Sequence, residues 1–495
     1  MKRRFLVVFG ACCIAAVAIA GWVGARGTDA GAAPIRLAVL PFEAGQSDNV
    51  ALARGLSLEF AERISYAPGL VVRPPALANR QSALDLELLD ADLILDAEVH
   101  EADDEIRVHV WLHSGAAGYN SDVSVAVPAG DVVDLPQLLA REVVAALGLE
   151  LAAARAELMA RSTAGHVEAF RDYLIILGTT GGRGAPDPVA GLADVIERDP
   201  AFAPAYAALA DQHLRRGRAH RELRTAEYDR AEQALRAALD LDPELPSALA
   251  AMATLMARTA RQAEATALAR RAIEVHPYRP ELYSRLGYVL RYAGLVDESV
   301  AAYRRGLELD GRPAALVSGE GQIAKGLVYL GDYYGALALQ EGLHDHLARI
   351  GRTADEKMLF YEGVMQYYAG STERALQLFD AAWDLDPTSL WSAFGRAYGY
   401  GIAGDTTRLV ALARELETRD VADGERHYRL VHFHALAGRH EDAARRLRVA
   451  LDGGFVNYAY MSTDPLTAAV RDTPAFAAAL SDAKARYEAF PRPGR

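Results

Sequence analysis

Cysteine is nearly absent from this chain of 495 residues. The two that exist, Cys12 and Cys13, both lie in the first segment. The remainder therefore has no disulfide, no cysteine-rich zinc site and no cysteine nucleophile. Lysine is also scarce: four lysines stand against 49 arginines. No block of basic residues interrupts a chain whose net charge is −13, falling to −16 once residues 1–25, with Lys2, Arg3 and Arg4, are set aside. An acidic chain without a basic stripe cannot neutralise a phosphate backbone, which argues against nucleic acid as a partner. Catalytic signatures are missing too. There is no His-Glu-x-x-His, "TTGGRGAPD" (179–187) lacks the Lys-Ser/Thr of a phosphate loop, and "GLSLE" at Gly55 lacks the second glycine of a nucleophile elbow. "GEGQIAKG" (319–326) resembles a phosphate loop faintly but falls inside a helical unit.

Paired histidines give no metal site either. His344 and His346, like His432 and His434, stand two apart, and on a helix that spacing turns them about 200° from each other. His109 and His113 share a strand face but sit about 13 Å apart, too far to hold one ion. No catalytic, cofactor-binding or metal-ligating residue is assigned.

One long uncharged run is present. After the basic start "MKRR", Phe5–Ala25 has 21 residues without a charge, followed by the polar "RGTDAGAAP". Its length suits an uncleaved transmembrane anchor, while Ala18-Ile19-Ala20 and Val23-Gly24-Ala25 suit cleavage of a signal peptide. Either way the basic end stays in the cytoplasm and the rest is exported. Residues 1–33 are thus read as signal anchor or signal peptide plus linker, and the protein as a single-pass protein on the extracytoplasmic side of the bacterial inner membrane, or soluble in the periplasm.

The next 120 residues read as a small α/β domain, 35–155. "IRLAVLPFE" (35–43) is a strand, and 48–65 a helix with Leu52, Leu56, Phe60 and Ile64 on one face and Asp48 at its cap. "GLVVRPP" is a second strand, which implies a parallel pair joined by a right-handed crossover. "DLILDAEVHEADDEIRVHVWLHS" is a hairpin in which Ile106, Val108, Val110 and Leu112 alternate with Arg107, His109, Trp111 and His113. A further strand through Val123, Val125 and Val127 and the helix "LPQLLAREVVAALGLEL" complete a mixed sheet.

From about 160 to 455 the chain repeats itself. "LDLDP" ends at Pro243 and "IEVHP" at Pro277, 34 residues on; "LELDG" ends at Gly311, 34 further. Gly370, Gly404 and Gly438 keep the same period. A period of 34 is that of the tetratricopeptide unit, a pair of antiparallel helices, and about eight pairs fit. Small residues are expected where the helices touch: Ala210, Ala253, Gly287, Ala324, Gly363 and Ala397 on first helices, and Ala231, Ala265, Ser299, Ala336, Ala375 and Ala443 on second helices. Leu409 breaks the pattern, which predicts a splayed unit. Leu241 is expected to pack inward, Pro243 to stop the helix, and Gly217, Gly294, Gly331, Gly370, Gly404 and Gly438 to end first helices in left-handed geometry.

The segments "IRLAVLPFE", "ARGLSLEFAERIS", "GLVVRPP", "DLILDAEVHEADDEIRVHVWLHS" and "LAREVVAALGLEL", in this order and ahead of such repeats, resemble the TolB-N-terminal-like domain of bacterial tetratricopeptide proteins. The resemblance implies an extracytoplasmic binding role and names no ligand. In that family a cytoplasmic DNA-binding or cyclase domain often precedes the membrane helix; with four residues before the apolar run, none is expected here. The tail 456–495, with "DP…VRDTPAF", is similar to the capping tail of the same family, and capping is also what a solenoid end requires.

The expected fold is mostly α: an α-solenoid of tetratricopeptide helix pairs preceded by a small α/β domain with a mixed sheet and an N-terminal apolar helix. The expected function is a non-enzymatic protein-protein interaction scaffold of the cell envelope that binds a partner peptide or helix in the groove lined by first helices. Groove candidates are Ser284, Tyr288, Arg291, Lys325, Lys357, Phe360 and Tyr367, with Arg291 and Lys325 supplying local positive charge for an acidic partner. The alternative is a sensor whose α/β domain binds a small envelope ligand and acts through a separate membrane protein.

Overall fold

The computed structural model describes residues 34–45, 49–73, 89–102, 104–114, 120–161, 163–179, 187–419 and 423–490. The apolar run Phe5–Ala25 lies outside them, and among the described residues no helix is long and apolar enough to cross a membrane.

The chain forms two compact units. The first comprises residues up to Arg215 together with Glu227–Ala251 and Ala272–Arg279, and the second comprises Arg216–Ala226, Met252–Arg271 and Pro280–Arg495. In the first unit β1 (Ile35–Val39), β2 (Glu43–Ala44), β3 (Leu70–Arg73), β4 (Leu93–Ala102), β5 (Glu105–Ser114) and β6 (Asn120–Pro128) build one mixed sheet. Its order is β3-β1-β4-β5-β6, with β2 on β4. β1 is parallel to β3 (Ile35 opposite Leu70) and to β4, as the strand–helix–strand reading requires, while β4, β5 and β6 are antiparallel. Ala102 opposite Glu105 closes the expected hairpin. Ile106, Val108, Val110 and Leu112 are fully buried in the core together with Leu52, Leu56, Phe60 and Ile64 of the helix Val50–Ile64. That helix is capped by Asn49, whose side chain accepts from the Leu52 amide at 3.2 Å; the expected cap, Asp48, lies outside the described residues.

Gly55 shows why a glycine sits in "GLSLE". A Cβ there would lie 1.9 Å from the Leu174 carbonyl oxygen, and one at Gly178 would lie 1.9 Å from that of Ala51. The two glycines let the helices Val50–Ile64 and Val167–Thr179 meet backbone to backbone. This is a packing role, not a catalytic one.

Eight antiparallel helix pairs follow in the described residues, from Val167–Thr179 with Pro188–Arg198 to Gly424–Leu436 with His440–Asp452. The small residues predicted for the helix contacts are buried. Opposite Gly287 and Gly363 lie the rings of Tyr303 and Phe379, so each glycine leaves room for an aromatic from the second helix. Leu409 is fully buried, its side chain beside Gly401 of the preceding helix, so a glycine offsets its volume. Gly294, Gly331, Gly370, Gly404 and Gly438 take positive φ, as expected. Gly217 does not: the helix Ala203–Ala219 runs through it.

The repeated "LDLDP" ends differ from the reading in one respect. Leu309 is buried, but Leu241 and Leu385 are 44% and 56% exposed. Their inward contacts are already made one turn earlier by Ala238 and Ala382. The aspartate is what recurs in function. Asp242, Asp310 and Asp386 accept from the amides of Glu244, Arg312 and Thr388, each two residues on, at 3.1, 3.2 and 2.9 Å. An Asx-turn of this kind bends the chain into the next pair.

Candidate functional site

In the second unit the first helices point polar side chains inward, and the chain fills that interior itself. After His440–Asp452 the segment from Phe455 to Asp464 runs back among them. The Val456 amide donates to the Tyr292 carbonyl at 2.9 Å. Tyr460 lies 4.3 Å from the Tyr329 ring and its hydroxyl is 2.7 Å from that of Tyr368. Phe455, Met461 and Asp464 are at most 1% exposed. The groove expected to be open is thus occupied in part by the chain's own tail.

Glu425, in the first turn of Gly424–Leu436, is the centre of one polar cluster. It lies 3.2 Å from Arg291 Nε and 3.4 Å from Lys325 Nζ, and it accepts from the Tyr329 hydroxyl. Arg291 also donates to Gln322 at 2.6 Å and Tyr303 at 3.3 Å. Burial alone would raise the Glu425 carboxyl, but Arg291 and Lys325 hold it at about 2. Lys325 is pushed down to about 8 by its burial, against the pull of Glu425. The two cations named from sequence are therefore brought together, and they already have an internal acidic partner.

Asp464 is the centre of a second cluster. It accepts from His432 Nε2 at 2.7 Å, the Tyr368 hydroxyl at 2.8 Å, the Tyr428 hydroxyl at 3.1 Å and the Leu466 amide at 3.0 Å. Burial opposes its charge, and these donors nonetheless hold it at about 2. Burial pushes His432 down. A neutral ring fits both contacts, with Nε2–H facing Asp464 and Nδ1 accepting from the Tyr398 hydroxyl at 2.6 Å. His434 faces Glu417 instead, while His344 and His346 face Glu362 and Glu320. Neither histidine pair shares a site, and among the described residues no three His, Cys, Asp or Glu side chains are placed to hold a metal ion.

The remaining candidates scatter. Tyr288 is half-buried with Arg291 5.8 Å from its ring centre, Phe360 belongs wholly to the core, Tyr367 is half-buried, and Ser284 and Lys357 face solvent. Lys357 leads to a group that sequence reasoning missed. Its Nζ is 5.6 Å from the ring centre of Trp391, and Arg426 stands 4.9 Å from the same indole. Tyr361 lies 5.2 Å from Trp391, and Lys325 is 4.4 Å from the Tyr361 ring. Four successive first helices thus meet in one aromatic and basic patch. Nothing in the period marks Trp391, Arg426 or Glu425, because their partners lie on other units.

Residues 280–313 match the family "Tetratricopeptide repeat". No curated protein matches the chain. Solved structures that it resembles include PilW, described as a widely conserved type IV pilus biogenesis factor (16% identity, 46% of this chain and 96% of that one, TM-score 0.39). Others are YrrB, described as a tetratricopeptide protein with an unusual peptide-binding site (19%, 41% and 97%, 0.30), and PilF of Pseudomonas aeruginosa (15%, 43% and 90%, 0.34). The 34-residue period, the eight helix pairs of the described residues and the match at 280–313 together make this a tetratricopeptide-like array of helix pairs.

Proposed function

We propose that this protein is a non-enzymatic interaction scaffold of the bacterial cell envelope, and that it takes an acidic segment of a partner protein at Trp391. The observation that carries the reading is the pair of cations on that indole. Lys357 and Arg426 form no ion pair with any described residue, and both stand over the same indole. The carboxylates beside them in sequence are engaged elsewhere: Glu356 accepts from Ser389, and Asp423 from the Tyr292 hydroxyl and the Glu425 amide. Unpaired cations held over a half-buried indole give an acidic chain both charge and a stacking surface. The envelope location rests on the apolar run Phe5–Ala25 and on the resemblance of residues 35–155 to TolB-N-terminal-like domains.

The test is direct binding of fluorescent acidic peptides to the full chain and to Lys357→Glu/Arg426→Glu. Both side chains lie outside the core, so the far-ultraviolet spectrum should not change. Affinity should fall at least tenfold in the variant and weaken with salt in the wild type. Equal binding by both proteins, or a preference for basic peptides, rejects the reading.

A further inference from the structure

Among the described residues four histidines are buried: His213, His276, His432 and His434. Three meet a carboxylate, His213 with Glu227 at 2.6 Å, His432 with Asp464 at 2.7 Å and His434 with Glu417 at 2.6 Å. A proton taken up by any of these rings is matched by a charge beside it. His276 is different. It is 1% exposed, no described carboxylate pairs with it, and neither ring nitrogen makes a hydrogen bond of normal geometry.

Residues Ala272–Arg279 belong to the first unit. They carry the end of the helix Gln262–Val275 and the turn that follows it. Three contacts hold that turn. The Tyr66 ring, just past the helix Val50–Ile64, lies edge-on to the His276 ring with centres 4.0 Å apart. Arg155, on the helix Ala153–Ala160, donates to the Val275 carbonyl. Arg279 reaches back to Glu62, whose two carboxylate oxygens lie 2.7 and 2.8 Å from its Nη1.

The charges around the ring oppose its protonation. Burial pushes His276 well below the usual imidazole range, Arg279 and Arg155 push the same way, and the Ser65 backbone alone favours the proton. The charged groups that bear on Tyr66 are committed. Glu62 pairs with Arg279, Arg63 with Glu59, and Asp242 accepts from the Glu244 amide.

We propose that His276 is an acid-sensitive latch: when its ring takes a proton, the turn Val275–Arg279 lets go of Tyr66 and Arg155. A buried imidazolium beside two arginines has no counter-charge, so release into water becomes the favoured state. The released ring titrates near the ordinary 6.5 and the held ring lower. The latch is therefore fully closed above pH 6.5, and closing weakens about tenfold for each pH unit below it. The latch does not depend on the partner proposed at Trp391.

The experiment is amide hydrogen exchange of the full-length protein at about pH 7.5 and about pH 5, with rates corrected for the intrinsic pH dependence of exchange. Protection of Ser65–Ala67 and His276–Arg279 should fall about thirtyfold between the two, while Leu390–Ile402 changes less than about threefold. His276→Phe keeps a ring against Tyr66 and takes no proton, so its protection in both segments should be the same at both pH values. If that variant does not fold, His276→Gln, likewise neutral, should give the same flat result. Unchanged protection in the wild type, a fall of equal size in Leu390–Ile402, or an equal fall in the variant overturns the proposal.

Discussion

At Glu425 burial and charge act in opposite directions, and charge prevails. Its carboxyl titrates near 2 against an ordinary 4.5, so its ionised form favours folding above pH 4.5, and that contribution is lost as pH falls towards 2. Lys325 works the other way. Near 8 in the fold against 10.5 free, it binds its proton more weakly when folded, so its contribution to stability rises as pH climbs from 8 to 10.5. Glu425→Gln would leave Arg291 and Lys325 without their carboxylate. The expected loss is about 3–5 kcal/mol in urea unfolding at pH 7, shrinking as the pH is lowered below 4.5; a loss under about 1 kcal/mol would mean that the cluster is not what the geometry implies. Arg291 and Lys325 were visible in the sequence as rare charges on first helices. Glu425 was not their evident partner, since it lies 134 and 100 residues away and no period connects the three.

At the scale of the helix and the turn, legibility depends on range. The period, the small contact residues and the left-handed glycines are local features, and they were read correctly from Gly294 onward. Leu241 was misplaced because its burial depends on what the next unit puts beside it. The turn at Asp242 yields a comparison: Asp242→Ala removes a buried acceptor and should cost about 1–3 kcal/mol, whereas Leu241→Ser should stay within about 0.5 kcal/mol of wild type. Equal effects in denaturant titrations would contradict the Asx-turn assignment. Gly55→Ala tests the close approach of Val50–Ile64 to Val167–Thr179. With a Cβ 1.9 Å from a carbonyl oxygen, the backbones must separate. A loss of about 1–3 kcal/mol or more is expected, read as a lowered denaturation midpoint; an unchanged midpoint would show that the helices have room.

At the scale of the second unit, the tail decides the architecture. Residues 456–495 were read as a cap on the end of the array, a role that needs only a polar outer face. The segment Phe455–Asp464 does more, since it links Tyr292, Tyr329, Tyr368, Tyr428 and His432. Truncation after Asp452 should expose those tyrosines and strip amide-exchange protection from both Pro280–Tyr292 and Gly424–Leu436. Loss confined to the last pair would restrict the tail to capping. An open tetratricopeptide array tolerates gain or loss of a unit, because each pair answers only to its neighbours. Here Arg291 and Tyr292 meet Glu425 and Asp423 across four intervening pair boundaries. A sequence variant with one more or one fewer pair between them would keep every local rule and still break the contact. Unit number in this protein is a specified quantity, and natural length variation should fall outside 280–464.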